Sequence, residues 1–169
     1  MKFFSGFCFQ NEKDIFKDYI EEGDFKVAGF SYGAIKAFEY VLNSKERIDK
    51  LQLFSPAFFQ EEDEKFKKLQ LIYFKKDPAL YTENFLKNVI YPSSFKIEKF
   101  KSECFYEDLK DLLYYQWERD KLSFVRDKNT KIEVFLGEKD KITNSLKAKE
   151  FFKEFSTLYF IKDVGHILK

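Results

Sequence analysis

The chain has 169 residues, of which 44% are hydrophobic and 35% charged, and its formal net charge is +1. A chain of this length can form one domain with its own core, without disulfides or a structural metal ion. The small net charge argues against nucleic-acid binding as the main activity, because domains with that function usually carry a large basic excess. Cys8 and Cys104 are far apart in sequence and lack metal-ligand spacing. We therefore expect a disulfide-free fold, no metal and a reducing compartment.

The N-terminal residues 1–7 begin like a signal peptide, but the polar residues 10–14 interrupt the apolar run, and no small-residue cleavage site follows. No stretch approaches the roughly 20 apolar residues that a membrane-spanning helix needs. We expect a cytoplasmic protein with no membrane partner, and we expect it to be a monomer.

The first third of the chain alternates between strand and helix patterns. A short apolar run over 2–5 predicts a strand, and Asn11 could cap a helix that extends to about Glu22. A buried strand is predicted over 25–30, followed by an amphipathic helix over 34–42. A third strand is predicted over 51–54, closed by a Ser-Pro pair.

The segment 57–129 is rich in charged and aromatic residues and shows no such alternation. It predicts two or three amphipathic helices, one of them near 105–119. Alternation then returns, with strands predicted over 132–136 and 158–161 and a helix over 145–155. The whole pattern predicts a single α/β domain, in which about five parallel strands form the middle layer of a three-layer sandwich. The segment 57–129 would be a helical lid inserted after the third strand.

A nucleophile motif is present at Gly29-Phe30-Ser31-Tyr32-Gly33, which matches G-x-S-x-G between a predicted strand and a predicted helix. In this motif the serine occupies a sharp, strained turn, and the two glycines allow the strand and the helix to approach each other. The turn places the hydroxyl at a helix N-terminus, where N–H groups point toward developing negative charge. The alternative is a glycine-rich turn with a serine of no special function.

The residues that could activate this serine follow in the order expected for such a site. His166, the only histidine in the chain, comes after the last predicted strand, and imidazole is the base best suited to neutral pH. Asp140 follows the strand over 132–136 and would orient the histidine. Glu138 and Asp163 are the alternative acids.

The oxyanion hole of such a site needs two backbone N–H donors. Tyr32, the residue after the nucleophile, would supply one of them, and Phe7, in the turn after the first strand, would supply the other. A reactive thiol at the neighbouring Cys8 is not favoured, because no second histidine is present to serve it.

The first turn (Phe3 to Phe7), the elbow, the Gly137-Glu138-Lys139-Asp140 turn and the Gly165-His166 pair together resemble the α/β-hydrolase superfamily. Within it, the short chain and the FFSGF start are similar to the short BioV-type pimeloyl-acyl-carrier-protein methyl ester esterases of biotin synthesis. One departure from the family pattern is the stretch between Cys8 and Phe25, which has room for one helix but no strand. The predicted sheet is therefore reduced to about five strands in sequential order.

The resemblance implies a serine carboxylesterase that needs no cofactor and acts on an acyl-carrier protein bearing a pimeloyl methyl ester. A thioesterase or general small-ester hydrolase remains an alternative, as does a catalytically inactive binding module. The lid would line an acyl tunnel through its aromatic side chains, for which the candidates are Tyr114, Tyr115 and Trp117. Basic side chains could contact the acidic carrier protein, and the candidates for this role are Arg119, Lys121, Arg126 and Lys128.

Overall fold

The computed structural model describes all 169 residues and contains one five-stranded sheet. All neighbouring strands pair in parallel, in the order β1-β2-β3-β4-β5. This confirms the predicted parallel sheet of sequential strands. The strands are β1 (Lys2–Phe4), β2 (Lys26–Phe30), β3 (Lys50–Phe54), β4 (Lys131–Gly137) and β5 (Thr157–Ile161).

Six α-helices connect or cover these strands, and hydrophobic residues are buried in two clusters. Helix α1 follows β2 directly, so its N-terminus lies at the carboxyl end of the central strands. None of the helices combines the length and the apolar character that crossing a bilayer requires. The helices are α1 (Tyr32–Asn43), α2 (Glu64–Lys76), α3 (Pro78–Ile90), α4 (Tyr106–Tyr114), α5 (Arg119–Asp127) and α6 (Ser145–Phe152).

The helix predicted from Asn11 to Glu22 is wrong. The structure has only a short 3-10 helix, Glu12–Phe16, in this region. Asn11 adopts a left-handed conformation (φ 55°), and its side chain makes no capping hydrogen bond. Ile15 and Phe16, two of the apolar residues that suggested a helical stripe, are buried from this short helix together with Glu12.

The segment 57–129 contains four α-helices rather than two or three. The helix predicted near 105–119 ends at Tyr114, and α5 is a separate helix. Helix α5 packs against α1, with Leu122 and Val125 in the same buried cluster as Phe38. Helices α2 and α4 contact each other, and so do α2 and α3. The segment predicted to be a lid therefore contains one helix, α5, that packs on α1 as part of the core.

A disulfide joins Cys8 to Cys104, so the expected disulfide-free fold is wrong. The two residues are 96 positions apart, yet their Cα atoms lie 4.6 Å from each other. Backbone pairing explains this proximity, because the N–H of Ser102 donates to the carbonyl of Cys8 and Phe9 forms an antiparallel bridge with Lys101. Spacing in the sequence could not show that the segment before α4 returns to the turn after β1.

A buried polar cluster lies near the start of β3 and β4, where Gln52 pairs in register with Glu133. The Glu133 carboxylate is 3% exposed. It accepts hydrogen bonds from Gln52 Nε2 and Lys50 Nζ, both at 3.0 Å, and pairs with Lys131. Burial opposes ionisation of Glu133, but the hydrogen bonds from the two lysines and the glutamine outweigh it, so the pKa of Glu133 is lowered.

We expect Glu133→Gln to lower the free energy of unfolding at pH 7 by about 2 kcal/mol, because Lys50 and Lys131 lose the negative charge that they pair with. A lowered carboxyl pKa stabilises the fold above the unfolded value of 4.5, and this contribution is lost as the pH falls through the folded value. The difference between the variant and the wild type should therefore shrink in acid. Urea unfolding at pH 7 and pH 4 measures it, with the exposed Glu98→Gln as control; a difference that grows in acid would contradict this account.

Candidate active site

Ser31 occupies the turn between β2 and α1, and its backbone has a positive φ of 54°. This conformation is unfavourable for a residue with a side chain. Three hydrogen bonds hold it: the N–H of Ser31 donates to Phe54, and its carbonyl accepts from Ala34 and Ala57. The turn is therefore anchored to β3 and to the loop after it.

The two glycines of the motif are required by contacts in the structure. A Cβ atom on Gly29 would overlap the carbonyl oxygen of Gly33, and one on Gly33 would overlap the carbonyl oxygen of Phe4. The first contact allows α1 to start close to the end of β2. The second lets β1 lie against the helix N-terminus, which brings the turn after β1 close to the elbow.

The structure brings Ser31, His166 and Asp140 together in one hydrogen-bonded chain. His166 Nε2 lies 2.9 Å from Ser31 Oγ, and His166 Nδ1 lies 2.7 Å from Asp140 Oδ2. When Nδ1 carries the proton that Asp140 accepts, Nε2 presents its lone pair to the serine hydroxyl. The ring of His166 is fully buried, with its centroid 5.1 Å from that of Phe30. This packing restricts the ring to the orientation that both hydrogen bonds need.

Asp140 is itself held by the turn that follows it. Its Oδ1 accepts from the N–H groups of Ile142 (2.7 Å) and Thr143 (3.1 Å), and the Thr143 hydroxyl donates to Oδ2. The alternative acids do not reach the histidine: Glu138 accepts from the N–H of Asp163, and Asp163 pairs with Lys139. Of the three acids considered, only Asp140 bonds to His166.

Two backbone groups near Ser31 are free to donate. The N–H of Tyr32 begins α1 and so has no acceptor four residues back in the helix. The N–H of Phe7 donates no hydrogen bond within the chain. The hydroxyl of Tyr32 points away to Asp111, and burial together with Asp108 and Asp111 raises the pKa of Tyr32.

A cavity of about 540 Å³ opens beside Ser31. Eleven of its 18 lining residues are hydrophobic, and most of these eleven come from α2, α3 and α4. Cavities of this size with a few polar groups are typical of small-molecule sites. Its apolar wall consists of Phe7, Phe59, Phe66, Tyr73, Leu80, Tyr81, Phe85, Leu109, Leu112, Leu113 and Ile142.

None of the three aromatic residues predicted to line the tunnel does so. Trp117 is buried against Phe38, and its indole N–H donates to the carbonyl of Ala57. The hydroxyls of Tyr114 and Tyr115 donate to glutamates on the surface or at its edge. Spacing alone could not separate the face of α4 that meets the cavity, which carries Leu109, Leu112 and Leu113, from the face that does not.

The four basic residues proposed for carrier-protein contact all lie on or just after α5, and none lines the cavity. Arg119 pairs with Glu154, Lys121 with Glu118 and Arg126 with Asp127. Lys128 donates to the carbonyls of two residues at the end of α1. In contrast, Lys76 and Lys141 line the cavity and form no ion pair within the chain.

Comparison with solved structures identifies the fold. MenH from S. aureus superposes with a TM-score of 0.61 at 14% identity, over 99% of this chain and 87% of that one. A hydrolase from Oleispira antarctica gives a TM-score of 0.63 at 16% identity, and the carboxylesterase CesB of Bacillus subtilis gives 0.55 at 17%. The chain therefore has the α/β-hydrolase fold. No protein-family model matches it, and no curated protein does.

This chain is shorter than several proteins that share its fold. The superposition with the Oleispira hydrolase includes 85% of this chain but only 58% of the hydrolase. The superposition with CesB includes 92% of this chain and 57% of CesB. At identities below 20% these structural similarities identify the fold alone. The activity has to be inferred from the geometry of the site.

Proposed function

We propose that this protein is a serine hydrolase that cleaves carboxylic esters, with Ser31 as nucleophile, His166 as base and Asp140 as its orienting acid. The observation that supports this most directly is the hydrogen-bonded chain from Ser31 through His166 to Asp140 beside an apolar cavity. A catalytically inactive binding module would have no need of a strained serine, a buried histidine and an anchored carboxylate in this geometry.

The reaction would proceed through an acyl-enzyme. His166 Nε2 accepts the proton of the Ser31 hydroxyl as the oxygen attacks the ester carbonyl, and Asp140 stabilises the resulting imidazolium. The N–H groups of Phe7 and Tyr32 would hold the oxyanion. His166 then donates its proton to the departing alkoxide, which leaves as the alcohol. Water then attacks the acyl-enzyme as His166 takes one of its protons, and His166 passes this proton to the Ser31 oxygen as the bond to the acyl group breaks and the acid leaves.

We further propose that the substrate is the methyl ester of a pimeloyl chain carried by an acyl-carrier protein. Three points support this choice: the apolar cavity suits an aliphatic chain, the short chain and its FFSGF start resemble the short esterases of this type, and Lys76 and Lys141 line the cavity without forming an ion pair. Lysine side chains at the cavity could contact the phosphate of a carrier's prosthetic arm or an acidic carrier surface. These two lysines suit that role better than the paired basic residues of α5.

The substrate proposal is tested by incubating the protein with pimeloyl-carrier-protein methyl ester and following methanol release and the mass of the carrier. Loss of the methyl group alone, with the thioester to the carrier intact, is the expected result. Release of the whole acyl group would identify a thioesterase. Cleavage of simple esters without cleavage of this one would overturn the substrate proposal and leave the ester hydrolase standing.

The cavity wall predicts a dependence on acyl-chain length. Leu112, on α4, is 5% exposed and lines the cavity, so Leu112→Trp would fill space that a long chain needs. Excluding only two methylene groups costs about 1.6 kcal/mol, so kcat/KM for p-nitrophenyl octanoate should fall at least about tenfold relative to the acetate. Steady-state kinetics on both esters measures this ratio.

Leu146→Trp is the control, because Leu146 is 62% exposed on α6 and outside the cavity. It should leave both rates unchanged. Equal loss on octanoate and acetate in the Leu112 variant would mean that the acyl chain does not occupy this cavity.

A further inference from the structure

The turn after β1 contains the proposed oxyanion donor Phe7, and a buried glutamate, Glu12, begins the 3-10 helix that follows this turn. Glu12 has no exposed surface. Its Oε1 accepts a hydrogen bond from the N–H of Gly6 at 2.7 Å, whereas Oε2 is buried and has no partner. The side chain thus crosses back over the turn to hold the residue just before Phe7.

Such an arrangement is costly for the fold. A fully buried carboxyl group loses its hydration, and the hydrogen bond from Gly6 compensates for that loss only in part. Burial raises the pKa of Glu12, and the hydrogen bond from Gly6 only partly offsets this. A buried polar group that is only partly paired calls for an explanation, and a contribution to a catalytic site is one of the recognised explanations.

The contacts around Phe7 indicate what the glutamate does. Gly6 is held through its N–H by Glu12 and through its carbonyl by the N–H of Phe9. Cys8 is held on the other side by the disulfide to Cys104 and by the N–H of Ser102. Phe7 lies between these two anchors, with its own N–H unpaired and its side chain in the wall of the cavity that contains Ser31.

We propose that Glu12 is a positioning residue that fixes the turn after β1, so that the Phe7 N–H points toward the oxyanion formed on attack by Ser31. This inference rests on the proposed ester hydrolysis. Glu12 touches neither substrate nor the reacting atoms and acts only through Gly6 and Phe7. Loss of a single oxyanion-hole donor typically lowers kcat by about 10²–10³-fold, and a loosened donor should approach the lower figure.

Glu12→Ala, Glu12→Gln and Glu12→Asp test the proposal by kinetics on p-nitrophenyl butyrate. The alanine variant removes the acceptor for Gly6, so kcat should fall about 100-fold with KM changed less than about threefold. Glutamine keeps an acceptor oxygen of the same reach and should restore kcat to within about fivefold of wild type. Aspartate, one methylene shorter, should give an intermediate loss and keeps the test valid if the alanine variant does not fold.

Inhibitors separate positioning from a general structural effect. A trifluoromethyl ketone forms a tetrahedral oxyanion on the serine, so its Ki should rise in Glu12→Asp in parallel with the loss of kcat. The Ki of the product butyrate should not change. The control is Glu22→Gln, an exposed carboxylate in the same loop that pairs with Lys13.

Wild-type kcat in the alanine and aspartate variants, or equal loss in all three Glu12 variants, would overturn the role of Glu12. An equal rise of the Ki for the ketone and for butyrate would also overturn it, because a positioning role affects only the tetrahedral state. A folded wild-type protein that cleaves no ester and is not inhibited by the ketone would instead overturn the proposed function.

Discussion

Ser31→Ala is expected to lower kcat for ester cleavage by about 10⁵-fold or more, since the nucleophile of a triad cannot be replaced by its neighbours. The variant should keep the fold. Ser31 is buried, and its side chain contributes a hydrogen bond to His166 worth about 1 kcal/mol. Hydrolysis of p-nitrophenyl butyrate, with circular dichroism of both proteins, measures the two effects separately.

The matched control for this variant is Ser55→Ala. Ser55 directly follows β3, is fully buried and also has a positive φ, but its Oγ has no hydrogen-bond partner. Its loss should leave kcat within about twofold of wild type, because a hydroxyl without a base nearby is not activated. Comparable residual activity in the Ser31 and Ser55 variants would show that the elbow serine is not the nucleophile.

Asp140→Asn is expected to lower kcat by about 10⁴-fold without a large change in stability. The asparagine oxygen can still accept from the N–H groups of Ile142 and Thr143, so the turn is retained. Its amide nitrogen would face His166 Nδ1, which must then accept rather than donate. The proton of the neutral imidazole would then be on Nε2, which faces Ser31. Nε2 could therefore no longer accept the serine proton.

Asp163→Asn and Glu138→Gln are the controls, because these nearby acids do not bond to His166. Both should retain activity close to wild type in the same assay. A large loss in either one, together with a mild effect of Asp140→Asn, would move the orienting role to another carboxylate.

The strands and the elbow could be predicted from the sequence because they depend on residues that are close together in the chain. Buried parallel strands produce short apolar runs, and all five were found at or within one residue or so of their observed bounds. The elbow needs glycine at 29 and 33 because backbone atoms occupy the space of a side chain, so its motif is local as well. The positions of Asp140 and His166 follow from the ends of β4 and β5.

The features that the sequence did not reveal depend on contacts between distant segments. Cys8 and Cys104 meet only because the chain before α4 pairs with the turn after β1. The role of Glu12 depends on a side chain that folds back on Gly6, and helical spacing of its neighbours suggested a helix instead. The contact between Thr143 and Asp140, in contrast, could have been predicted from the sequence. Thr143 follows Asp140 by three residues, and an aspartate often accepts hydrogen bonds from the backbone of the turn that follows it.

The helical segment 57–129 was the region in which the sequence predicted the packing least well. Its amphipathic helices carry aromatic residues on more than one face, and hydrophobic spacing does not indicate whether a face meets a cavity, the sheet or solvent. Helix α5 shows this, since it packs on α1 as a core helix although it lies in the segment predicted to be lid. The cavity beside Ser31 is instead formed mainly by α2, α3 and α4.

The measurement that tests the central claim most directly is the intact mass of the protein after reaction with a fluorophosphonate, followed by peptide mapping. A fluorophosphonate reacts with a serine only when a base and an oxyanion hole activate it. We expect one phosphonyl group per chain, located on Ser31, and no adduct on the Ser31→Ala variant. The absence of any adduct on the folded wild-type protein, or an adduct on a different serine, would contradict the assignment of Ser31 as the nucleophile of an ester hydrolase.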